Sequence, residues 1–204
     1  VAAIGRLFST GKVDLHKTVA VAGSEIKTPG YAEVLVGTPL SSFVANQLKA
    51  TDHVRLINGN PLTGVKTTTA DFVGGHTSEI TAIPEGDDND EMLGWILPRT
   101  DQFSTSRSYL SWLFGKKKEY NLDARVKGGE RHMIMSGEYD KVLPMDILPE
   151  YLIKAIITGD IDKMEQLGIY EVSPEDFALA EFVCSSKLEL QKIVREGIDL
   201  MLKA

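Results

Sequence analysis

The sequence predicts an α+β protein in which a small sheet domain is followed by a helical subdomain. Four β-rich runs, at residues 18–22, 32–36, 53–57 and 79–83, surround one short helical pattern. Beyond residue 143 the apolar residues recur instead at helical spacing. Strands that flank a single helix favour a mixed sheet covering that helix, roughly over residues 30–84.

A helical pattern also opens the chain. Val1, Ile4, Leu7 and Phe8 share helical spacing, and Gly11 is a plausible end of the helix. We expect this apolar stripe to pack on a preceding domain of a longer protein.

The helix inside the sheet domain is predicted after Thr38. Thr38 has the chemistry of an N-cap, and Pro39 suits the first helical position. The residues at the spacing of a buried stripe are Leu40, Phe43, Val44 and Leu48.

Four capping patterns predict the helices of the C-terminal subdomain. They start at Asp146, Asp160, Ser173 and Ser186, and the third has a capping-box form with Asp176 in the place of the usual Glu. Each helix carries one apolar stripe, so the helices are expected to bury these stripes against one another.

Composition excludes several classes of protein. The 204 residues contain 22 Lys and Arg against 29 Asp and Glu, a formal net charge of -7, which argues against a general nucleic-acid binder. The longest apolar stretches are too short to span a membrane as a helix. A single cysteine, Cys184, cannot form an intramolecular disulfide and fits a reducing compartment. It falls on an apolar helix face, so we expect a buried, inert thiol.

Residues 59–67 nearly match a phosphate-binding loop. Gly59 and Gly64 have the required spacing, but Val65 separates Gly64 from Lys66, which should follow it directly. A structural turn is the favoured interpretation, and a ligand loop of another kind stays open. The candidate ligand residues are Asn58, Gly59, Asn60 and Gly64.

No other constellation predicts catalysis or metal binding. The four histidines lie too far apart in sequence for a helical zinc pair. Asp87, Asp88 and Asp90 are not followed by the glycine and the distant glutamate of a calcium loop. We therefore expect no catalytic, cofactor-binding or metal-binding residues in this chain.

Residues 95–118 differ in composition from the rest of the chain. Both tryptophans lie here, and eight basic residues stand against four acidic ones over residues 95–131 of an otherwise acidic chain. Aromatic side chains beside lysines suit docking on a partner or a membrane surface; a local core with a solvated lysine turn is the alternative. The candidate docking residues are Trp95, Phe103, Trp112, Phe114, Lys116, Lys117 and Lys118.

Four longer stretches resemble one family over the whole chain. They lie at residues 3–11, 128–131, 141–149 and 181–189, the last reading Glu-Phe-Val-Cys-Ser-Ser-Lys-Leu-Glu. They resemble the A subunit of the sodium-translocating NADH:quinone oxidoreductase of bacterial respiratory membranes. The chain looks like the C-terminal part of that protein.

The resemblance implies a domain layout. Residues 1–29 would be the tail of a Rossmann-like α/β domain, and residues 30–92 a small β-grasp domain of the soluble-ligand-binding type. An aromatic and basic insertion with an extended return would cover residues 93–138, before a helical domain at residues 139–204. Related proteins hold an iron–sulfur cluster in that helical domain through close cysteine pairs. Here Cys184 stands alone, so no cluster ligands are expected.

The resemblance also implies a place in a respiratory complex. That complex passes electrons from NADH through FAD, FMN, riboflavin and an iron–sulfur centre to quinone, and exports sodium ions. This chain would hold no cofactor and would not catalyse by itself. It would be peripheral on the cytoplasmic face of the inner membrane, serving assembly and quinone access beside membrane-embedded subunits. The alternative is a soluble β-grasp module that binds a small ligand outside any respiratory complex.

Overall fold

The computed structural model describes residues 2–88, 96–100, 102–104, 107, 109–114 and 119–203. They form two compact units, Val1–Arg125 and Val126–Ala204. Each unit has its own buried apolar cluster. The division reflects contacts within the chain. The domain boundaries implied by the family resemblance stay predictions.

A five-stranded mixed sheet forms the centre of the first unit. Its strands are β1 (His16–Ala22), β2 (Gly30–Leu35), β3 (Val54–Asn58), β4 (Val65–Thr67) and β5 (Glu79–Pro84). The order across the sheet is β2-β1-β5-β3-β4. Only the β1–β5 pair is parallel among these neighbours, and the other pairs are antiparallel.

All four strands expected from the sequence are present, and a fifth was not expected. Strand β4 has only three residues, which is too short for an alternating pattern to be recognised. Strand β1 is hydrogen-bonded to both β2 and β5, although the family-based layout assigns its residues to the tail of a preceding domain.

The core of the first unit lies under one face of the sheet. Alternate residues of β1, Val19 and Val21, point into it. The other fully buried apolar side chains include Ile26, Leu40, Val44 and Ile80. At the end of β1 the chain passes so close to β5 that a Cβ at Gly23 would stand 2.0 Å from the carbonyl oxygen of Ala82, which only glycine permits.

The predicted α-helix after Thr38 is wrong in type. Two 3-10 turns, Leu40–Ser42 and Ala45–Gln47, replace it. The backbone N–H groups of Leu40 and Ser41 donate to the carbonyls of Asp71 and Thr69. Phe43 leaves helical geometry, with a φ of -130°. The apolar stripe nevertheless faces the core, since Leu40, Val44 and Leu48 are buried and Phe43 is partly buried against the same cluster.

The predicted first helix is present as α1 (Ala2–Thr10). Gly11 follows it with a φ of 67°, in the left-handed conformation that ends many helices. No residue of α1 is buried, and the Phe8 side chain is 86% exposed. Packing of this apolar stripe on a preceding domain stays a prediction.

Helices build the second unit, as predicted. They are α2 (Pro149–Thr158), α3 (Ile161–Gln166), α4 (Ala178–Val183) and α5 (Leu190–Met201), with 3-10 turns at Ile169–Glu171 and Pro174–Phe177. Its fully buried side chains include Leu152, Ile153, Met164, Phe177 and Leu190.

Two of the four capping predictions are confirmed. The Asp160 carboxylate accepts from the N–H of Lys163, and Ser173 and Asp176 form the expected capping box. Asp146 and Ser186 do not cap helices, because α2 begins three residues later than Asp146 and α5 begins only after Glu189. Ser186 is buried and its hydroxyl donates to the carbonyl of His132.

Candidate functional site

The predicted ligand loop connects β3 to β4. Its central residue, Asn60, uses its side chain inside the loop. The Asn60 Oδ1 atom accepts from the N–H groups of Leu62 and Thr63, and its Nδ2 atom donates to the Thr63 hydroxyl at 2.8 Å. The Asn60 amide therefore holds the turn together.

The backbone is tightly packed at both glycines of this loop. Gly59 has a φ of 108°, and a Cβ at Gly64 would stand 2.5 Å from the carbonyl oxygen of Asn60. The Thr81 hydroxyl, buried in β5, donates to the carbonyl of Gly59. A ligand that bound at this loop would meet polar groups that already hydrogen-bond to one another. Binding of a ligand by Asn58, Gly59, Asn60 and Gly64 stays a prediction.

The predicted docking segment forms a short 3-10 helix, Leu110–Phe114. The N–H of Leu110 donates to the carbonyl of Pro98, which links the start of this helix to an earlier part of the segment. Trp95, Lys116, Lys117, Lys118 and the side chain of Phe114 lie outside the described residues.

Large apolar side chains of this segment are exposed. Trp112 is 50% exposed and Leu113 57%. We name the Trp112 surface for the residues that share this exposure, which are Ile96, Leu97, Leu110, Trp112 and Leu113. Exposed apolar side chains that are close in the chain are typical of interaction sites.

Other side chains of the segment make local contacts. The Phe103 ring meets Tyr120 edge-on with centroids 5.6 Å apart, and the Arg99 guanidinium lies 5.7 Å from the centroid of the Tyr109 ring. Ser111 is buried between the exposed Leu110 and Trp112. The described part of the segment thus combines local contacts with exposed apolar side chains, and docking by these residues stays a prediction.

A charged cluster lies at the end of β5. The Glu85 carboxylate accepts from Nε of Arg55 at 2.8 Å and from Nζ of Lys66 at 3.1 Å. Chiefly because of the bond to Arg55, the pKa of Glu85 falls to about 2. His53 Nδ1 lies 2.8 Å from the Asp87 carboxylate, and this contact raises the pKa of His53.

Sequence reasoning missed this cluster. The cluster depends on the register of three neighbouring strands. In β3, Arg55 pairs with Ile83 of β5, two residues before Glu85, and Ile57 pairs with Lys66 of β4. Alternating residues on a shared sheet face can be recognised only once the strands are aligned.

A cavity of about 270 Å³ opens near the first helix. Its lining is strongly polar, with Arg6, Asp14, His16, Lys17, Thr18 and Glu33. Arg6 donates to Asp14 at 2.6 Å, and Nζ of Lys17 donates to the carbonyl of Gly75. Such a lining suits water and small ions better than an apolar ring.

Two buried polar contacts stand out in the second unit. The Tyr139 hydroxyl lies 2.9 Å from Sγ of the buried Cys184, and burial raises the pKa of Tyr139. The buried Glu150 carboxylate accepts from the N–H and hydroxyl of Ser136 and from the N–H of Gly137. Burial of Cys184 is as predicted.

Metal sites and membrane-spanning helices are both absent from the described part of the chain. Within it, no three His, Cys, Asp or Glu side chains are grouped so that they could hold a metal ion. None of the helices that the structure describes has the length and apolar character needed to cross a membrane.

Comparison with known proteins gives consistent matches. Residues 18–69 match the family model described as the NQRA C-terminal domain. The chain is 36% identical over 200 residues to the A subunit of the Na(+)-translocating NADH-quinone reductase of Pasteurella multocida, covering 98% of the chain and 44% of that protein. It is 37% identical over 204 residues to the corresponding protein of Neisseria meningitidis serogroup C, covering 100% of the chain and 45% of the relative. The chain thus spans less than half the length of these relatives.

Proposed function

Because this chain belongs to the family of the A subunits of Na(+)-translocating NADH-quinone reductases, we propose that it serves the assembly of such a reductase and is not a catalyst by itself. The observation that carries the proposal is the exposure of the Trp112 surface. Its side chains would be covered by a partner in the assembled enzyme.

Physical chemistry favours an interaction role for these side chains. Burial of apolar surface is favourable by roughly 25 cal/mol per Å². The five side chains of the Trp112 surface are 44% to 62% exposed, so a partner that covered them would gain binding free energy. Tryptophan is also enriched among the residues that dominate binding interfaces.

The proposed partners are the other subunits of the reductase, especially those embedded in the membrane. The proposed location is peripheral, on the cytoplasmic face of the bacterial inner membrane. These proposals are supported by the relatives, which are named as one subunit type of a reductase, and by the exposed Trp112 surface.

We propose a β-grasp identity for the sheet of the first unit. Supporting it are the strand order β2-β1-β5-β3-β4, the parallel pairing of β1 with β5, and the family-model match that begins inside β1. A preceding Rossmann-like domain in the full-length protein belongs to the same proposal, with residues 1–29, which include α1, as its tail.

Flavins, the iron–sulfur centre and NADH are proposed to belong to other subunits. For the iron–sulfur centre, the support is that the chain has a single cysteine, which is buried and hydrogen-bonded to the Tyr139 hydroxyl. Quinone contacts are proposed to lie mainly in the preceding part of the full-length protein or on a partner subunit. The cavity near α1 is lined by polar and charged side chains, which suit an apolar quinone ring poorly.

The assembly role is tested in the complete enzyme. The full-length A subunit carrying Trp112→Ala and Leu113→Ser, or Lys116, Lys117 and Lys118 each changed to Gln, is expressed with the other subunits. We expect fewer of the other subunits to co-purify in mild detergent and a proportionate loss of sodium-stimulated quinone reductase activity.

A matched control is Phe72→Ala. Phe72 is an aromatic residue that is 63% exposed in the same unit but outside the Trp112 surface. It should leave co-purification unchanged. If the Trp112 variants also assembled normally and kept full activity, the assembly role of this surface would be wrong.

A further inference from the structure

We propose that the cavity near α1 binds a small primary amine, whose ammonium group is held by Glu33, Thr18 and His16. This inference is independent of the Trp112 surface and of the assembly role, because it concerns different residues and a different class of ligand.

The cavity lies between α1 and the outer face of the sheet. Thr18 and His16 lie on the face of β1 opposite to that of the buried Val19 and Val21, and Arg6 of α1 lines the same cavity. A helix that covers a sheet normally buries an apolar stripe against it, but no residue of α1 is buried. The space between α1 and the sheet is therefore polar rather than part of an apolar core.

Three of the four charged side chains that line the cavity already have partners. Arg6 donates to Oδ2 of Asp14 at 2.6 Å. The Nζ atom of Lys17 donates to the carbonyl of Gly75, also at 2.6 Å. The fourth is Glu33, whose carboxylate has no hydrogen-bond or ion-pair partner among the residues that the structure describes.

Two further acceptors lie beside the Glu33 carboxylate. Strand register places Thr18 directly opposite Glu33, and His16 lies two residues before Thr18, on the same face of the sheet. Within the described part of the chain, the Thr18 hydroxyl and the His16 ring make no hydrogen bond. A carboxylate, a hydroxyl and a neutral imidazole can each accept one, so the cavity offers three acceptors and one unbalanced negative charge.

An ammonium group matches this set, because it carries three N–H donors and one positive charge. The volume of about 270 Å³ lies below the range of about 300–1,000 Å³ that is typical of pockets for drug-sized ligands, which favours a small amine. A divalent metal ion fits less well, since the described residues contain no group of three His, Cys, Asp or Glu side chains that could hold one.

Titration with ethanolamine, followed by nuclear magnetic resonance, tests the inference. Ethanolamine is an ammonium ion at neutral pH, and it is added to the isotope-labelled 204-residue chain at constant ionic strength. We expect saturable shifts of the backbone amide signals of Thr18 and Glu33. Tetramethylammonium, which has the same charge but no N–H donor, and sodium ion should give no saturable shift.

Two variants locate the contact. Glu33→Gln should weaken ethanolamine binding by about tenfold, the effect of losing a hydrogen bond to a charged group. Thr18→Val should weaken it by about fivefold, because one neutral acceptor is lost. Glu171→Gln is the matched control, since Glu171 is exposed in the second unit, and it should bind like the unchanged chain. Far-ultraviolet circular dichroism should show that all three variants are folded.

Three results would overturn the inference. Equal shifts with tetramethylammonium or sodium ion would mean that the cavity attracts any cation. Unchanged affinity of Glu33→Gln would show that this carboxylate does not hold the ammonium group. Binding by the 204-residue chain but not by the full-length A subunit would mean that another part of that protein fills the cavity.

Discussion

The fold lowers the pKa of Glu85 strongly. Its carboxylate is held between Arg55 and Lys66, and these contacts lower its pKa from an ordinary value of 4.5 to about 2. Since the folded state binds this proton less tightly than the unfolded state, the contacts stabilise the fold fully only above about pH 4.5.

Stability should therefore fall as the pH drops from about 4.5 to about 2, partly through Glu85. Because Arg55 and Lys66 are partly exposed, solvent screening limits the contribution to roughly 1–2 kcal/mol. Urea unfolding across this pH range should show a shallower decline for Glu85→Gln than for the unchanged chain. Glu33→Gln, on the edge strand β2, is the control, and equal slopes for all three proteins would contradict the prediction.

Glu150 acts differently, as a buried acceptor. It is 5% exposed and receives three hydrogen bonds from Ser136 and Gly137. Glu150→Leu would leave these donors without their acceptor and should lower the free energy of unfolding by roughly 2–3 kcal/mol.

Glu150→Gln should cost less than Glu150→Leu, because the amide oxygen can still accept. Urea unfolding followed by circular dichroism in the helical band measures both, since the second unit supplies most of the helix. Glu189→Leu is the control, because the native Glu189 side chain is 72% exposed. Equal losses for Leu and Gln at position 150 would show that the acceptor is unimportant.

At the scale of elements, α2 and α5 pack closely because α5 contains Gly197. A Cβ at this position would stand 2.9 Å from Cγ2 of Ile156 in α2. Glycine in a helix interior normally costs about 1 kcal/mol relative to alanine, so its presence here reflects the close approach of the two helices.

Gly197→Ala should thus destabilise the second unit by about 1 kcal/mol, because overpacking outweighs the gain in helix propensity. Gly5→Ala in α1, where a Cβ meets nothing within 4 Å, is the matched control and should gain helical content. Thermal unfolding of the two variants and of the double variant with Ile156→Ala measures the coupling. Additive effects at positions 197 and 156 would contradict the clash.

The secondary-structure elements also show which features a local sequence pattern can predict. β-rich runs predicted β1, β2, β3 and β5, because the residue types that favour strands and turns are a local property of the chain. The stripe of Leu40 and Val44 predicted burial correctly but the helix type wrongly. The chain leaves helical geometry at Phe43, with a φ of -130°, and the apolar spacing in the sequence does not reveal this break.

At the scale of the whole molecule, the chain forms two compact units that meet in sequence at Arg125 and Val126, each with its own buried cluster. Residues 126–138 supply contacts to the second unit. Met133 packs against its core, Ser136 bonds to Glu150, and the N–H of Arg131 donates to the carbonyl of Ser186.

A fragment of residues 126–204 should therefore fold by itself, while one of residues 139–204 should be markedly less stable. Chemical-shift dispersion and the cooperativity of thermal unfolding measure the difference. Equal behaviour of the two fragments would favour the boundary drawn from family resemblance.

Sequence patterns were enough to predict the fold class, four of the five strands, the helical C-terminal region and the family. Each of these depends on local periodicity or on long matched stretches. Folding in three dimensions was needed to show which apolar side chains are exposed, since Leu40 is buried while Trp112 is half exposed. It was also needed to show that Asn60 bonds within its own loop and that Glu85 meets Arg55 and Lys66. Burial and pairing depend on residues distant in the chain, and spacing along the sequence carries no information about those distances.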